Sequence, residues 1–374
     1  MKSKKIRIAI LFGGRSGEHE VSLQSAASVL AAIDRKQYDV LPIGITKEGR
    51  WVTGNVPETL PAEKLAGILR QGNPVIASAD PQGPSLIPLN SSVPTGRNLA
   101  GKIDVVFPLL HGTFGEDGTV QGLLDLAGIP YVGAGVLASA AGMDKDIMKR
   151  LFRDSRIPVI EWITVLRNEW QSYPALVRQN VQHEIGYPAF VKPANLGSSV
   201  GISKVHHAKE LPAALNLAAR YDRKILIEKA VNAREIECAV LGNDQPEASV
   251  PGEIEPVNEF YDYEAKYIRE GSKLLIPAPL PQRQAQRIRQ LALQAFKAID
   301  CAGMARVDFL LDRKTGHIFV NEINTIPGFT SISMYPKLWE ASGIPFPELV
   351  DRLIRLALER HAEKNRTKYT HSGH

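Results

Sequence analysis

The stretch "ARVDFLLDRKTGHIFVNEIN", residues 305 to 324, constrains this chain more than any other segment. Alternating polar and apolar residues flank the turn-forming "DRKTG", which is the pattern of a β-hairpin. With that segment as the loop, Arg306 faces Glu322 and Asp308 faces Val320. Side chains alternate faces along a strand, and opposed residues share a face. Arg306, Asp308, Glu322 and Asn324 are therefore expected on one face. A register slip of two residues keeps them together; a slip of one separates them. Burying a carboxylate without compensation costs several kcal/mol, so Glu322, in "FVNEINTIPGF", needs a partner.

Two carboxylates and an amide oxygen are hard donors suited to Mg²⁺, whose remaining positions are filled by phosphate and water. A solvated face with an Arg306–Glu322 salt bridge would suit the same residues, and the hairpin alone leaves both readings open. A second segment, "FVKPANLGSSVGISKV", shifts the balance. It sets Lys192 at a strand end before a Gly/Ser loop that returns as another strand. A Walker A loop differs, because its lysine opens a helix. A β-loop-β flap whose N–H groups fold over phosphates fits better. A lone Gly/Ser turn is more often only a turn, but beside the hairpin it points to a phosphate site.

The N-terminal "GGRSGEHE" does not meet the dinucleotide pattern GxGxxG. Glu18 and Glu20 at a helix start suit a cationic amine better than a phosphate; ordinary helix-start charge is the alternative. His111 ends the strand "IDVVFPLL", beyond whose carboxyl end α/β proteins bind ligands. A lone histidine there otherwise serves structure.

The 374 residues are too many for one ordinary core and suit two or three domains. Net charge is +5, with four positive charges at Lys2, Lys4, Lys5 and Arg7, so the rest is near neutral. Without a basic stripe interleaved with aromatics, nucleic acid is not an expected partner. Cys238 and Cys301 fit no metal or redox spacing and read as buried thiols. "IAILF" is too short for a signal peptide, and residues 126 to 143 fall short of a membrane span. The expectation is a cytoplasmic protein with no membrane partner.

The expected fold class is α/β. A Rossmann-like parallel sheet occupies residues 1–133, with 50–100 taken as loops around one short helix, "PAEKLAGILRQ". A central unit with the flap follows over 134–231, where Asp144 is placed to cap the helix "DKDIMKRLFRDSRI". An antiparallel third unit spans 232–362, its last helix ending at Arg360, and a polar tail closes the chain over 363–374.

"GGRSGEHEVSLQSA", "LLHGTFGEDGTVQGLLDLAGIPYVGAG", "MDKDIMK", "VKPANLGSSVGISKV", "FYDYEAKY", "RVDFLL" and "NEINTIPGFTSISM" occur together, and in this order the chain resembles the D-alanine–D-alanine ligases. These are carboxylate–amine ligases of the ATP-grasp superfamily, and the resemblance covers about residues 5 to 360. It implies two ATP-grasp subdomains sandwiching ATP. It also implies a homodimer formed through the first domain, and the substrates D-alanine and ATP. One D-alanine would be phosphorylated and a second would attack the acyl phosphate, giving a peptidoglycan precursor.

By the same resemblance Asp308, Glu322 and Asn324 are ligands of two Mg²⁺ (or Mn²⁺) ions, and Lys145 and Lys192 hold ATP phosphates. Glu228, Lys229 and Val231 form the adenine hinge and Glu235 contacts the ribose. Ser198 and Ser199 belong to the flap, and Lys266 reaches the γ-phosphate. Glu18 holds the first ammonium with His111 beside that carboxylate, while Arg306 and the Gly328 N–H stabilise the oxyanion. Ser333 and the Met334 N–H take the second carboxylate. Ser198 and Tyr267 hydrogen-bond toward Glu18 and close the site against water. A D-alanine–D-lactate ligase, another carboxylate–amine ligase of this scaffold and a non-catalytic nucleotide-binding protein are the competing readings. Against the last stands the presence of Lys192, Arg306 and Glu322.

Overall fold

The computed structural model describes residues 5–54, 62–89, 102–197, 200–255 and 273–368. Its first sheet holds β1 (Ile6–Gly13), β2 (Tyr38–Ile45), β3 (Trp51–Thr53), β4 (Asn73–Ala77), β5 (Leu86–Pro88) and β6 (Val105–Pro108), in the order β5-β4-β3-β2-β1-β6. β1 runs parallel to β2 and β6 and is buried from Ile8 onward, as a central strand covered on both faces must be. Helices α1 (His19–Ala32), α2 (Ala62–Gln71) and α3 (Thr119–Leu126) accompany it.

The expected loop region from 50 to 100 is corrected here. Three strands from it, β3 to β5, extend the parallel core as an antiparallel edge. Each pairs over three residues, and β5, the edge strand, carries Pro88, where a missing N–H donor is tolerated.

A second sheet, ordered β7-β10-β8-β9, contains β7 (Trp162–Leu166), β8 (Ala189–Pro193), β9 (Ser203–Val205) and β10 (Lys224–Lys229). Before it come α4 (Val136–Met143) and α5 (Lys145–Asp154); α6 (Arg167–Ser172), α7 (Pro174–Asn180) and α8 (Leu211–Tyr221) pack around it. Asp144 does cap α5, accepting the N–H groups of Asp146 and Ile147 at 3.1 Å each.

The third sheet runs β14-β13-β11-β15-β16, with β12 (Glu247–Ala248) on β11 (Ala233–Gly242). Its other strands are β13 (Gly252–Glu255), β14 (Lys273–Leu275), β15 (Gly303–Asp312) and β16 (Ile318–Asn324). One face packs on α5 and α9 (Gln282–Ala298) through Cys238, Val307, Phe296 and Phe152. The other face joins the first sheet in one core, where Ala239 and Met304 meet Phe107, Phe329, Trp339 and Leu353. α10 (Met334–Ala341) and α11 (Phe346–Lys364) lie in that seam. α11 runs four residues past the expected end at Arg360, where Lys364 pairs with Asp125 of α3 at 2.7 Å.

The hairpin differs from expectation in an instructive way. Its loop is one residue shorter than "DRKTG": Asp312 N–H bonds the His317 carbonyl, and the Asp312 carboxylate accepts the N–H groups of Lys314 and Thr315. That turn alone would separate the polar residues onto opposite faces. A β-bulge at Asn321 restores them, since Phe309 pairs with Val320 but Asp308 pairs with Glu322 and Arg306 with Asn324. Asp308 faces Glu322 rather than Val320, yet all four residues share a face.

Candidate active site

Strand pairing sets Glu237 of β11 opposite Asp308 and Ala239 opposite Arg306, so Glu237 joins the four hairpin residues. The Arg306 guanidinium donates to both Asp308 oxygens, each at 2.7 Å, and its Nε is 2.9 Å from Glu237 Oε2. Asn324 Nδ2 donates to Asp308 at 3.0 Å. Burial works against the Arg306 charge, but Asp308 and then Glu237 outweigh it and hold the guanidinium protonated well above its usual range. Glu322 lies 3.9 Å from Lys145 Nζ, which also donates to the Leu196 carbonyl at 2.8 Å.

A cavity of about 820 Å³ lies between the second and third sheets. Lys145, Lys192, Glu228, Lys229, Val231, Glu235, Asp308 and Glu322 all line it. It thus gathers the expected nucleotide and metal residues that fall within the described part of the chain, apart from Asn324. Ser198, Ser199, Lys266 and Tyr267 lie outside the described residues. The Glu228 side chain is buried between two cations: Lys149 at 2.5 Å and Lys192, closer still. Burial would raise its pKa, but Lys149 and Lys192 bring it to about 2. The Glu228 carboxylate is thereby committed to the two lysines.

The donors suit a hard divalent cation. Asp308 and Glu322 are carboxylates on one face, Asn324 adds an amide oxygen, and both carboxylates already draw a cationic side chain. Among the described residues no three His, Cys, Asp or Glu side chains converge as a protein-only metal cage.

Glu18, Glu116 and His111 form a second cluster at the seam with the first sheet. A Cβ on Gly112 would sit 2.8 Å from Glu18 Oε2, and one on Gly197 3.0 Å, so the backbone closes on that carboxylate from two domains. His111 Nδ1 donates to the Ile326 carbonyl at 3.1 Å, and its Nε2 accepts from Ser25 Oγ at 3.0 Å. Burial lowers the His111 pKa, against the Glu18 charge. Glu116 accepts the Gly112 N–H at 2.7 Å. Burial and then the Glu18 charge push its carboxyl up to about 8. Nearby, Ser333 Oγ accepts the Thr330 N–H at 3.0 Å, and a Cβ on Gly328 would meet that oxygen at 2.6 Å. Met334 opens α10, its side chain buried against Gly252.

Glu237, Lys149 and Glu116 were not singled out by the sequence. Each had a weak signal: the Glu235/Glu237 alternation in "REIECAV", the four-residue spacing of Lys145 and Lys149 on one helix, and the acidic "GEDG" after His111.

Two sheets closing on a cation-lined cavity beside a Rossmann-like sheet are the architecture of the ATP-grasp class of ATP-dependent ligases. Within that class, the family model described as D-ala D-ala ligase N-terminus matches residues 7–134, and the D-ala D-ala ligase C-terminus matches 151–355. The chain belongs to the D-alanine–D-alanine ligase family. A D-alanine–D-alanine ligase of Thermoanaerobacter sp. (strain X514) is 54% identical over 97% of this chain and 99% of its own. That of Heliobacterium modesticaldum is 54% identical over 97% of each. The D-alanine-D-alanine ligase structure from Coxiella burnetii matches with TM-score 0.82 and 38% identity over 97% of both chains. The VanG D-Ala:D-Ser ligase from Enterococcus faecalis matches with TM-score 0.83, also at 38% identity, over 95% of this chain and 100% of that one.

Proposed function

We propose that this enzyme joins two D-alanine molecules at the expense of ATP, in the cytoplasm, for peptidoglycan synthesis. The observation that carries the reading is the position of Arg306. It holds Asp308, which lines the nucleotide cavity, and its charge also acts on His111 and Glu116. It therefore stands between the phosphate end and the amino-acid end.

The first D-alanine carboxylate attacks the γ-phosphorus, the bond to the ADP oxygen breaks, and a D-alanyl phosphate results. Glu18 holds this substrate's ammonium and His111 lies beside its carboxylate. Lys145 and Lys192 hold the ATP phosphates, backbone at Glu228, Lys229 and Val231 takes the adenine, and Glu235 the ribose. Asp308, Glu322 and Asn324 would hold two Mg²⁺ (or Mn²⁺), which neutralise charge on the transferring phosphoryl group. The second D-alanine, its carboxylate on Ser333 and the Met334 N–H, attacks the acyl carbon as its amine loses a proton. Arg306 and the Gly328 N–H stabilise the oxyanion until phosphate leaves. Placing three reactants in line supplies much of the acceleration.

The similarity to a D-Ala:D-Ser ligase at 38% identity means that the fold does not choose the acceptor. Relatives at 54% identity favour D-alanine. Product analysis at about pH 6, with D-alanine, D-serine and D-lactate at equal concentration, tests this directly. D-alanyl-D-alanine should predominate; a predominant serine amide or lactate ester would assign a different acceptor.

A homodimer is the second part of the proposal. Leu126, on α3 of the first domain, is an apolar side chain 70% exposed. Sedimentation should show a dimer that Leu126→Glu converts to monomer.

A further inference from the structure

Arg306 touches two carboxylates that have different obligations. Asp308, two residues along the same strand, takes the guanidinium with both oxygens. Glu237 reaches the same Nε from the adjacent strand β11, where its side chain is only 7% exposed. A carboxylate so placed needs a cation, and Arg306 supplies one. Both acids line the cavity, but only Asp308 belongs with Glu322 and Asn324 to the hard-oxygen set. Asp308 cannot keep a full bidentate pair with Arg306 and also ligate a divalent cation with the same lone pairs. Some of the counter-charge of Arg306 must then come from elsewhere. Glu237 is already in contact.

We propose that Glu237 is a positioning residue for Arg306. It holds the guanidinium against the sheet, between the cavity and the Glu18–Glu116–His111 cluster, as Asp308 exchanges Arg306 for the divalent cation. This rests on the reading above of Asp308 as a ligand and Arg306 as the oxyanion donor. With Glu237 neutral, Arg306 leans harder on Asp308, and the cation competes against a firmer pair. Metal affinity then falls. Once Asp308 is taken, Arg306 has lost both carboxylates that touch it, and turnover falls with them. Nucleotide KM, set by the hinge and the lysines, stays.

The test is a Mn²⁺ titration of the full chain with ADP, read by the spin resonance of free Mn²⁺, together with steady-state kinetics. Glu237→Gln should weaken Mn²⁺ binding about tenfold and lower kcat about tenfold, with KM for ATP within about twofold, the usual cost of losing an outer-shell partner. Glu237→Asp, which keeps the charge, should recover most of both losses. If Glu237 acted only through its own field, the loss would persist without Arg306. In an Arg306→Gln background, adding Glu237→Gln should therefore change Mn²⁺ affinity by less than about twofold. Wild-type affinity and kcat in Glu237→Gln, or an undiminished loss in the double variant, would overturn the proposal. Asp308→Asn separates the two readings. Unchanged Mn²⁺ affinity there removes Asp308 as a ligand and takes the proposal down with it. Loss of affinity there, with wild-type behaviour in Glu237→Gln, overturns the proposal alone.

Discussion

At the cavity end, proposed to take the nucleotide, Glu228 lies between Lys149 and Lys192; at the seam end, proposed to take the amino acid, Glu116 lies near a second carboxylate, Glu18. Burial raises the pKa of both, and the neighbours decide the outcome. Two lysines bring Glu228 down to about 2, whereas Glu18 adds to the burial at Glu116 and leaves it at about 8. The Gly112 N–H and the Arg306 charge recover only part of that shift. The same residue type is thus ionised at one end and carries its proton at the other. The cavity end balances its buried charge with the chain's own lysines. The seam cluster instead relieves its excess of acid by keeping a proton on Glu116.

Removing the charge at Glu228 gives the largest expected effect. Glu228→Gln leaves Lys149, wholly buried, without its counter-ion, and should cost about 3–4 kcal/mol of stability in urea unfolding. Because the folded pKa is depressed from 4.5 to about 2, the contribution of Glu228 is present above 4.5 and lost as pH falls toward 2. A loss below about 1 kcal/mol would mean that the lysines are accommodated some other way.

Glu322 lines the same cavity as Glu228, beside Lys145, and Glu322→Gln changes its charge with little change in volume. Turnover should drop about a hundredfold while thermal unfolding stays near wild type. Unchanged turnover at limiting Mg²⁺ would remove Glu322 from the site.

The smallest effect is at Glu116, and its sign is opposite to that of Glu228. Its folded pKa of about 8 lies above the ordinary 4.5, so the native state keeps a proton that the unfolded chain has released. Wild-type stability therefore declines as pH rises between those values, and Glu116→Gln is spared the decline. The stability difference should move in favour of the glutamine variant by about 1 kcal/mol from pH 6 to pH 7. A difference that does not vary with pH would show that Glu116 ionises normally, and the contrast with Glu228 would collapse.

Much of this site is legible in the order of residues alone. Strand periodicity is local, so alternation alone puts Arg306 on one face with Asp308 and Glu322 on one face with Asn324, but bringing the two pairs onto the same face took the bulge. The cap at Asp144 is likewise a contact within one turn of helix. The register is less legible. Asn321 looks like any polar strand residue, and a bulge depends on what the partner strand does. The short strands β3 to β5 carry little apolar pattern, β4 and β5 each hold a proline, and only pairing in succession onto β2 makes them strands.

The sequence by itself determined which side chains carry charge, which residues share a strand face, and the order of the blocks that mark the family. The tertiary structure decided who meets whom. Lys149 reaches Glu228 across 79 positions of chain, Glu237 reaches Arg306 across a strand pair, and Glu18 meets Gly112 and Gly197 from two domains. Protonation follows from those meetings, because the cost of a buried charge depends on the nearest opposite charge and the water excluded around it. Neither quantity is local in sequence. Glu228 and Glu116 are the same residue type, and only the folded chain makes one a carboxylate and the other an acid.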